Sequence, residues 1–203
     1  MFWDNFEIVR KIKIENSYQE LFEKSKLDFD FAFLSLAGLS ICILGLSINS
    51  SAMIIAPLIY SILVLPAAVV WKDKEGFFSS LWSLFLELII GFVFCVALSY
   101  VLGVDTQGID FITNLGQNPL SYFLVATIAG SAAALSLFWP GVSEKLTGVA
   151  VSVALVPPMA IMGIAVADQS REVLLNATVN LSLNLVGIIF GAYVILQFIK
   201  SRV

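Results

Sequence analysis

Six long runs of apolar residues follow one another along the chain, separated by short polar segments. The runs cover residues 31–48, 52–71, 77–104, 120–139, 146–167 and 173–199. A helix needs about 20 apolar residues to cross the roughly 30 Å hydrocarbon core of a bilayer. Each run is long enough, so the pattern predicts an all-α integral membrane protein with six transmembrane helices.

Residues 1–30 have a different pattern, in which charged residues alternate with unevenly spaced apolar ones. Such a segment is typical of an amphipathic helix that lies along the membrane surface, and a frayed cytoplasmic tail is the alternative. It does not have the short apolar region and small-residue site of a cleavable signal peptide. We therefore expect an interfacial segment over residues 1–30 and a six-helix transmembrane domain over 31–203.

The basic residues predict the orientation of the helices. If the amino terminus is cytoplasmic, ten of the 11 Lys and Arg residues lie on the cytoplasmic side and only Arg171 lies outside. Lys and Arg accumulate in cytoplasmic loops. The longest later loop, 105–119, has no basic residue and is expected outside. The distribution predicts a multi-pass protein of the cell inner (plasma) membrane with both termini in the cytoplasm.

The composition narrows the function. Hydrophobic residues make up 59% of the chain and charged residues 13%, and the mean hydropathy is +0.95, which excludes a sizeable soluble domain. Histidine is absent and the net charge is −4, so we expect no metal site, no cofactor and no nucleic-acid partner. Membrane lipid is the expected environment.

A weak internal repeat relates the second and fifth runs. Residues 51–58 and 152–159 both begin with serine and have proline six residues later, at an offset of 101 residues. Two halves of three spans each, about 31–104 and 120–199, would enter the membrane from opposite sides, as in many secondary transporters. Chance similarity between two apolar spans is the alternative.

Prolines inside the second and fifth runs predict freed backbone carbonyls. Proline has no N–H, so the carbonyl four residues earlier loses its helical donor; the affected carbonyls are those near Met53, Val153 and Ala154. In a membrane such groups must contact protein or line a wet cavity. We expect the adjacent Pro157 and Pro158 to break the fifth span and shape a site, whereas a bend for packing is the alternative.

Polar residues at membrane depth are the candidates for function. At the rise of an α-helix, Glu87 lies about 15 Å into the third span. An acid at this depth indicates proton or cation coupling, and a protonated glutamate that links helices is the alternative. Asn176, Asn180 and Asn184 form one stripe on the sixth span, continued by Gly187 and Gly191, which favours a polar pathway or a tightly packed interface. A small-residue stripe at Ala126, Gly130 and Ala134 predicts helix packing. The candidate binding residues are Glu87, Asn49, Ser51, Pro57, Ser152, Pro157, Pro158, Asn176, Asn180 and Asn184.

Two motifs carry a resemblance to a known family. The segment Asn49-Ser-Ser-Ala-Met-Ile-Ile-Ala-Pro-Leu58 and the segment Gly148-Val-Ala-Val-Ser-Val-Ala-Leu-Val-Pro-Pro-Met159 resemble those of prokaryotic hydrophobic membrane proteins grouped as domain of unknown function 389. The similarity extends over about residues 27–198. Ser51 stands where the family often has glycine. The resemblance implies six spans and supplies no activity.

The pattern leaves three classes of function to consider. The leading prediction is a membrane transport protein, either a secondary transporter or a channel-like facilitator, for a small ion or polar solute bound at midplane. Because six helices make a thin shell, a homo-oligomer is expected. The alternative is a non-transporting scaffold or assembly subunit. An enzyme acting on lipid is disfavoured, since Glu87 has no second acid, base or metal set beside it.

Overall fold

The computed structural model describes residues 16–23, 25, 29–50, 61–113, 118–138 and 144–201. For residues 30, 31, 34, 113, 137, 138 and 144–153 it describes the backbone alone. All regular secondary structure in this part of the chain is helical. The helices are α1 (16–23), α2 (Phe29–Ser47), α3 (Ser61–Trp71), α4 (Lys74–Leu102), α5 (Asp110–Thr113), α6 (Pro119–Phe138), α7 (Glu144–Ala167) and α8 (Arg171–Ser201).

Each apolar run of the sequence overlaps one of the helices α2, α3, α4, α6, α7 and α8. Three segments in the described part of the chain are long and apolar enough to cross a membrane: Lys74–Leu102, Pro119–Ser136 and Arg171–Ser201. Shorter apolar helical segments are Ser35–Ser47, Ser61–Trp71 and Ala154–Ala167. The all-helical fold class and the presence of membrane-length helices are thus confirmed, and the count of six spans stays a prediction.

Four of these helices end in the same left-handed turn. The residues with positive φ in these turns are Asn49 (53°), Lys72 (60°), Gly103 (62°) and Gln169 (57°). After α3 the N–H of Asp73 donates to the carbonyl of Ala68 at 2.9 Å, and after α7 the N–H of Ser170 donates to Ala165 at 2.9 Å. This six-to-one bond is the Schellman motif, which satisfies helix-end carbonyls. The α3–α4 and α7–α8 connections therefore share one geometry.

One end of the bundle holds a group of side chains that we call the Trp71 cluster: Tyr18, Trp71, Asp73 and Lys200. The Tyr18 hydroxyl donates to Asp73 Oδ2 at 2.8 Å, and the Tyr18 ring stacks on Trp71 with centroids 5.5 Å apart. Lys200 Nζ lies 6.0 Å from the Trp71 ring centroid and donates to the Val70 carbonyl. The cluster joins α1, the α3–α4 turn and the last turn of α8.

The other end is held by Asn49 and Asp168. Asn49 Nδ2 donates to the Gly108 carbonyl at 2.6 Å, and its Oδ1 accepts from the Asp110 N–H at 2.9 Å. Asp168 Oδ2 accepts from the N–H of Thr106 at 3.1 Å and also from its hydroxyl. The carboxyl ends of α2 and α7 and the loop after α4 therefore lie together, at the opposite end of α4 from the Trp71 cluster.

The centre of the fold is the contact between α6 and α8, the most extensive between any two described helices. A Cβ atom on Gly191 would lie 2.0 Å from the Thr127 carbonyl oxygen, and one on Gly130 would lie 2.2 Å from that of Ile188. The two backbones approach so closely that only glycine fits at these positions. The predicted role of Gly130 in helix packing is confirmed.

Candidate functional site

The predicted break at Pro157 and Pro158 is wrong. Helix α7 continues from Glu144 to Ala167 with both prolines inside it, and both are buried. Proline in a helix interior removes an i→i−4 hydrogen bond and costs about 3 kcal/mol or more. A continuous helix therefore requires another donor for the freed carbonyls.

Asn184 on α8 provides one such donor. The carbonyl of Ala154 lies four residues before Pro158 and so has no helical N–H partner. Asn184 Nδ2 donates to this carbonyl at 2.5 Å. The Ala154 carbonyl, for which the sequence predicts a missing donor, thus accepts a hydrogen bond from a side chain on α8. This bond helps to keep α7 continuous.

The stripe of asparagines places two amides side by side. Asn184 Nδ2 also donates to Asn180 Oδ1 at 2.8 Å. Asn180 and Asn184 are only 3% and 4% exposed, whereas Asn176, one turn earlier, is half-buried. Asn180 Nδ2 is buried and has no hydrogen-bond partner among the described residues. A buried amide with an unused donor costs about 1–3 kcal/mol, so this donor is available to a polar group that enters.

Glu87 forms a second polar contact between helices. Its Oε2 accepts a hydrogen bond from the hydroxyl of Ser61 on α3, and its side chain is half-buried. The α4 residues one turn on either side, Leu84 and Gly91, are buried. Glu87 therefore lies beside the buried stripe of α4 and turns its carboxylate towards α3.

The other predicted residues lie elsewhere. Asn49 is exposed at the end of α2 and uses its amide to hold the loop after α4. Ser51 and Pro57 lie outside the described residues, and Ser152 lies in α7 where the structure describes the backbone alone. The structure thus brings together Pro158, Asn180 and Asn184 and separates Asn49 from them.

Sequence reasoning missed Ser61. A serine within an apolar run has no distinguishing local pattern. The signal that identifies it is its place in the hairpin, because Ser61 and Glu87 lie at equal sequence distances before and after Lys74, the first residue of α4. Residues at equal distances from a tight turn between antiparallel helices lie at about the same height along the hairpin.

The Trp71 cluster was also missed. Asp73 caps α4 by accepting from the Gly76 N–H at 2.9 Å, and this bond, followed by the bond from Tyr18, lowers the pKa of Asp73 below its ordinary value. Burial, reinforced by the hydrogen bond to Asp73 and by its negative charge, raises the pKa of Tyr18. The amino-terminal segment is therefore tied to the bundle by a specific polar contact.

Within the described residues, no group of three or more His, Cys, Asp or Glu side chains could hold a metal ion. The described polar groups form two contacts, one between Glu87 and Ser61 and one that joins Asn184 to Asn180 and to the freed Ala154 carbonyl. These groups can bind by hydrogen bonding or by charge.

The fold and these groups define an all-helical protein with membrane-length apolar helices and polar side chains buried between them. A family model described as "Domain of unknown function (DUF389)" matches residues 53–190. The chain belongs to this family, as the resemblance of its proline motifs implies. No curated protein and no solved structure matches the chain.

Proposed function

We propose that the protein is a membrane transport protein, a secondary transporter or a channel-like facilitator, that passes a small ion or polar solute across the cell inner membrane. The observation that carries the proposal is the buried Asn180 amide with an unused donor, next to Asn184. Polar groups at membrane depth are costly and mark solute pathways. A passing solute with an acceptor oxygen would supply the missing partner.

Three pairs of helix contacts support the proposal of two inverted halves, in which α2, α3 and α4 correspond to α6, α7 and α8, whereas the α6–α7 contact has no comparable α2–α3 counterpart among the described residues. Exchange of the halves converts the α4–α7 contact into α8–α3, the α3–α4 contact into α7–α8, and the α2–α7 contact into α6–α3. Each member of these pairs occurs in the structure. Inverted repeats place substrate sites near the bilayer midplane.

The connections support the same proposal. The α3–α4 and α7–α8 turns share the Schellman geometry, and the helices that follow them begin at Lys74 and Arg171. The serine–proline pairs of the sequence lie 101 residues apart. The first residues of α4 and α8 are closer to each other in sequence than this, by about one helical turn. The segment between the proline and the hairpin turn would therefore be about one helical turn shorter in the second half.

The proposed topology has six spans and both termini in the cytoplasm. The Trp71 cluster, which joins α1 to the carboxyl end of α8, supports a shared side for the two terminal segments. Large apolar side chains are exposed on the outer faces of α4, α6 and α8, among them Phe85, Ile128 and Phe190. Such faces require lipid or another copy of the chain, which supports a homo-oligomer in the membrane.

Reconstitution into proteoliposomes tests transport. Wild-type protein should pass at least one of a panel of small ions and polar solutes, and Asn180→Leu should lose that flux. Thr178→Val is the matched control, because the Thr178 side chain is exposed and its hydroxyl bonds only its own helix at the Leu174 carbonyl. Equal flux through wild type and Asn180→Leu, or no flux above empty vesicles for the whole panel, would overturn the proposal.

A scaffold or assembly subunit is the second candidate function. The observation that favours it is the close packing around the prolines, where every residue from Ala154 to Ile161 is buried. A water-soluble thiol reagent separates the two candidates, with Cys42 and Cys95 first replaced by alanine. Labelling of cysteine placed at Ser152 or Asn180 indicates a wet pathway, and complete protection at both indicates a scaffold.

A further inference from the structure

Two polar links between helices lie at similar depths in the two hairpins. Glu87 and its partner Ser61 lie at equal sequence distances after and before the first residue of α4. Asn184 lies at that same distance after the first residue of α8, and Ala154, whose carbonyl it bonds, lies about one helical turn farther before it. At about 1.5 Å per residue, both links are about 20 Å from their turns.

The link in the α7–α8 hairpin is closed. Asn184 has two amide hydrogens, and its Nδ2 donates both to the Ala154 carbonyl and to Asn180 Oδ1. An amide has no proton to exchange and no charge to neutralise. This link holds the proline-containing helix together and is a structural contact.

The link in the α3–α4 hairpin is open. A hydroxyl has one rotatable hydrogen and two lone pairs, and a carboxylate has two acceptor oxygens. The single described bond between Ser61 and Glu87 leaves acceptor capacity on both side chains. When the Ser61 hydroxyl rotates, both groups offer oxygen to the same ligand, and oxygen ligands of net charge −1 select a small cation.

The residues around Glu87 leave its negative charge available to one bound cation. The helices packed against α4 are α2, α3 and α7. Their titratable residues are Asp30 in the first turn of α2 and Cys42 farther along it; α3 and the described side chains of α7 carry none. In α4 itself, Lys74, Glu75, Cys95 and Tyr100 are at least two turns from Glu87. Among the described groups, no cationic side chain pairs with the carboxylate at this depth.

We propose that Ser61 and Glu87 form a binding site for one small monovalent cation, a proton or a sodium-sized metal ion, with Ser61 as an oxygen ligand. The assignment rests on the proposed function and deepens it by naming the class of a coupling ion, bound apart from the solute that the Asn180 donor would hold. A proton would bind the Glu87 carboxylate and neutralise it. A metal ion would bind the ionised carboxylate, and the Ser61 hydroxyl would turn its lone pairs towards the ion.

Infrared difference spectroscopy of the purified protein in detergent measures this binding without transport. Wild-type protein should show the carboxylic-acid C=O band of a protonated glutamate, which disappears as the pH is raised or as Na⁺ is added at fixed pH. Glu87→Gln should lose the band. Ser61→Ala should shift its frequency and weaken any Na⁺ response about tenfold or more, the effect of one lost bond to a charged group.

Ser80→Ala is the matched control for Ser61→Ala. Ser80 lies on α4, as Glu87 does, and its hydroxyl bonds only the Gly76 carbonyl of that helix, so this variant should leave the band unchanged. A band that responds to pH and not to Na⁺, Li⁺ or K⁺ identifies the ligand as a proton. Absence of any response in wild type, or its persistence in Glu87→Gln, overturns the site. If solute flux occurs without such a band, the protein transports but Ser61 and Glu87 do not bind a cation. If the band occurs without flux, the cation site stands and the proposed transport function is wrong.

Discussion

Asn184 replaces the N–H that Pro158 removes from its own helix. Its Nδ2 donates to the carbonyl of Ala154 at 2.5 Å, the group that a residue other than proline at position 158 would bond. The replacement joins α7 and α8 at a buried point and keeps α7 continuous. An asparagine on one helix and a proline on another therefore act as one structural unit.

A double-mutant cycle tests this unit. Asn184→Leu leaves the Ala154 carbonyl and Asn180 Oδ1 without their donor, and should lower the free energy of unfolding by about 1–3 kcal/mol. In a Pro158→Ala background, the backbone N–H at position 158 bonds Ala154 again. The cost of Asn184→Leu should then fall by about 1 kcal/mol, measured by denaturation in detergent.

Pro157→Ala provides the control for this cycle. It restores an N–H to the carbonyl of Val153 and not to that of Ala154, so Asn184→Leu should cost as much in this background as in wild type. Equal costs in all three backgrounds would mean that Asn184 does not substitute for the missing donor.

The glycines of the helix contacts give a second prediction. A Cβ atom on Gly191 would lie 2.0 Å from the Thr127 carbonyl oxygen, which belongs to a helix backbone, whereas one on Gly91 would lie 2.7 Å from the Met159 sulfur. A flexible methionine side chain can move aside, but a helix must shift as a whole. Gly191→Ala should destabilise the protein by about 1–3 kcal/mol and Gly91→Ala by clearly less, as measured by thermal unfolding. The reverse order would contradict the described α6–α8 contact.

The sequence alone predicted the helices well, because the length of an apolar run is a local property. The run 173–199 lies within α8 and 146–167 within α7, and the helices extend each run by only a few residues. The packing role of Gly130 was predictable for the same reason, since small residues four apart lie on one helical face.

The polar contacts were less predictable because they depend on the relative position of two helices. The prolines of α7 predict a break only if no other donor reaches Ala154, and the register that brings Asn184 there is absent from any local pattern. Ser61 lies in an ordinary apolar run, and it is identified as a candidate site residue only by its hydrogen bond to Glu87 across the hairpin. The sequence places Asn49 among the solute ligands, whereas its amide bonds the loop at Gly108 and Asp110.

The loop contact of Asn49 gives a third prediction. Asn49 has a φ of 53°, a conformation that glycine adopts without strain, so Asn49→Gly removes the side chain and keeps the turn. Amide hydrogen exchange at Asp110 should then rise, because that N–H loses its acceptor. Asn49→Ala should show the same increase and a further destabilisation of about 1 kcal/mol from the left-handed backbone. Unchanged exchange in Asn49→Gly would show that the amide does not hold the loop.

The contact of Tyr18 with Asp73 gives a prediction about pH. Burial and the neighbouring carboxylate raise the pKa of Tyr18 above the ordinary value of 10.0, so the folded protein favours the protonated phenol. The resulting stability is fully present below pH 10.0 and is lost as the pH rises through the folded pKa. The lowered pKa of Asp73 acts at the acid end, where stability is lost as the pH falls below the ordinary value of 3.8.

Tyrosinate absorbance measures the alkaline effect directly. The raised pKa of Tyr18 should give a strongly alkaline ionisation step in the folded protein, and this step should disappear in Tyr18→Phe. Tyr100→Phe, which removes the hydroxyl of a side chain that is 78% exposed, should retain that step. Because the Tyr18 hydroxyl joins α1 to the α3–α4 turn, Tyr18→Phe should also raise amide exchange in residues 16–23. A titration of Tyr18→Phe that shows the same strongly alkaline step as wild type would contradict the contact between Tyr18 and Asp73.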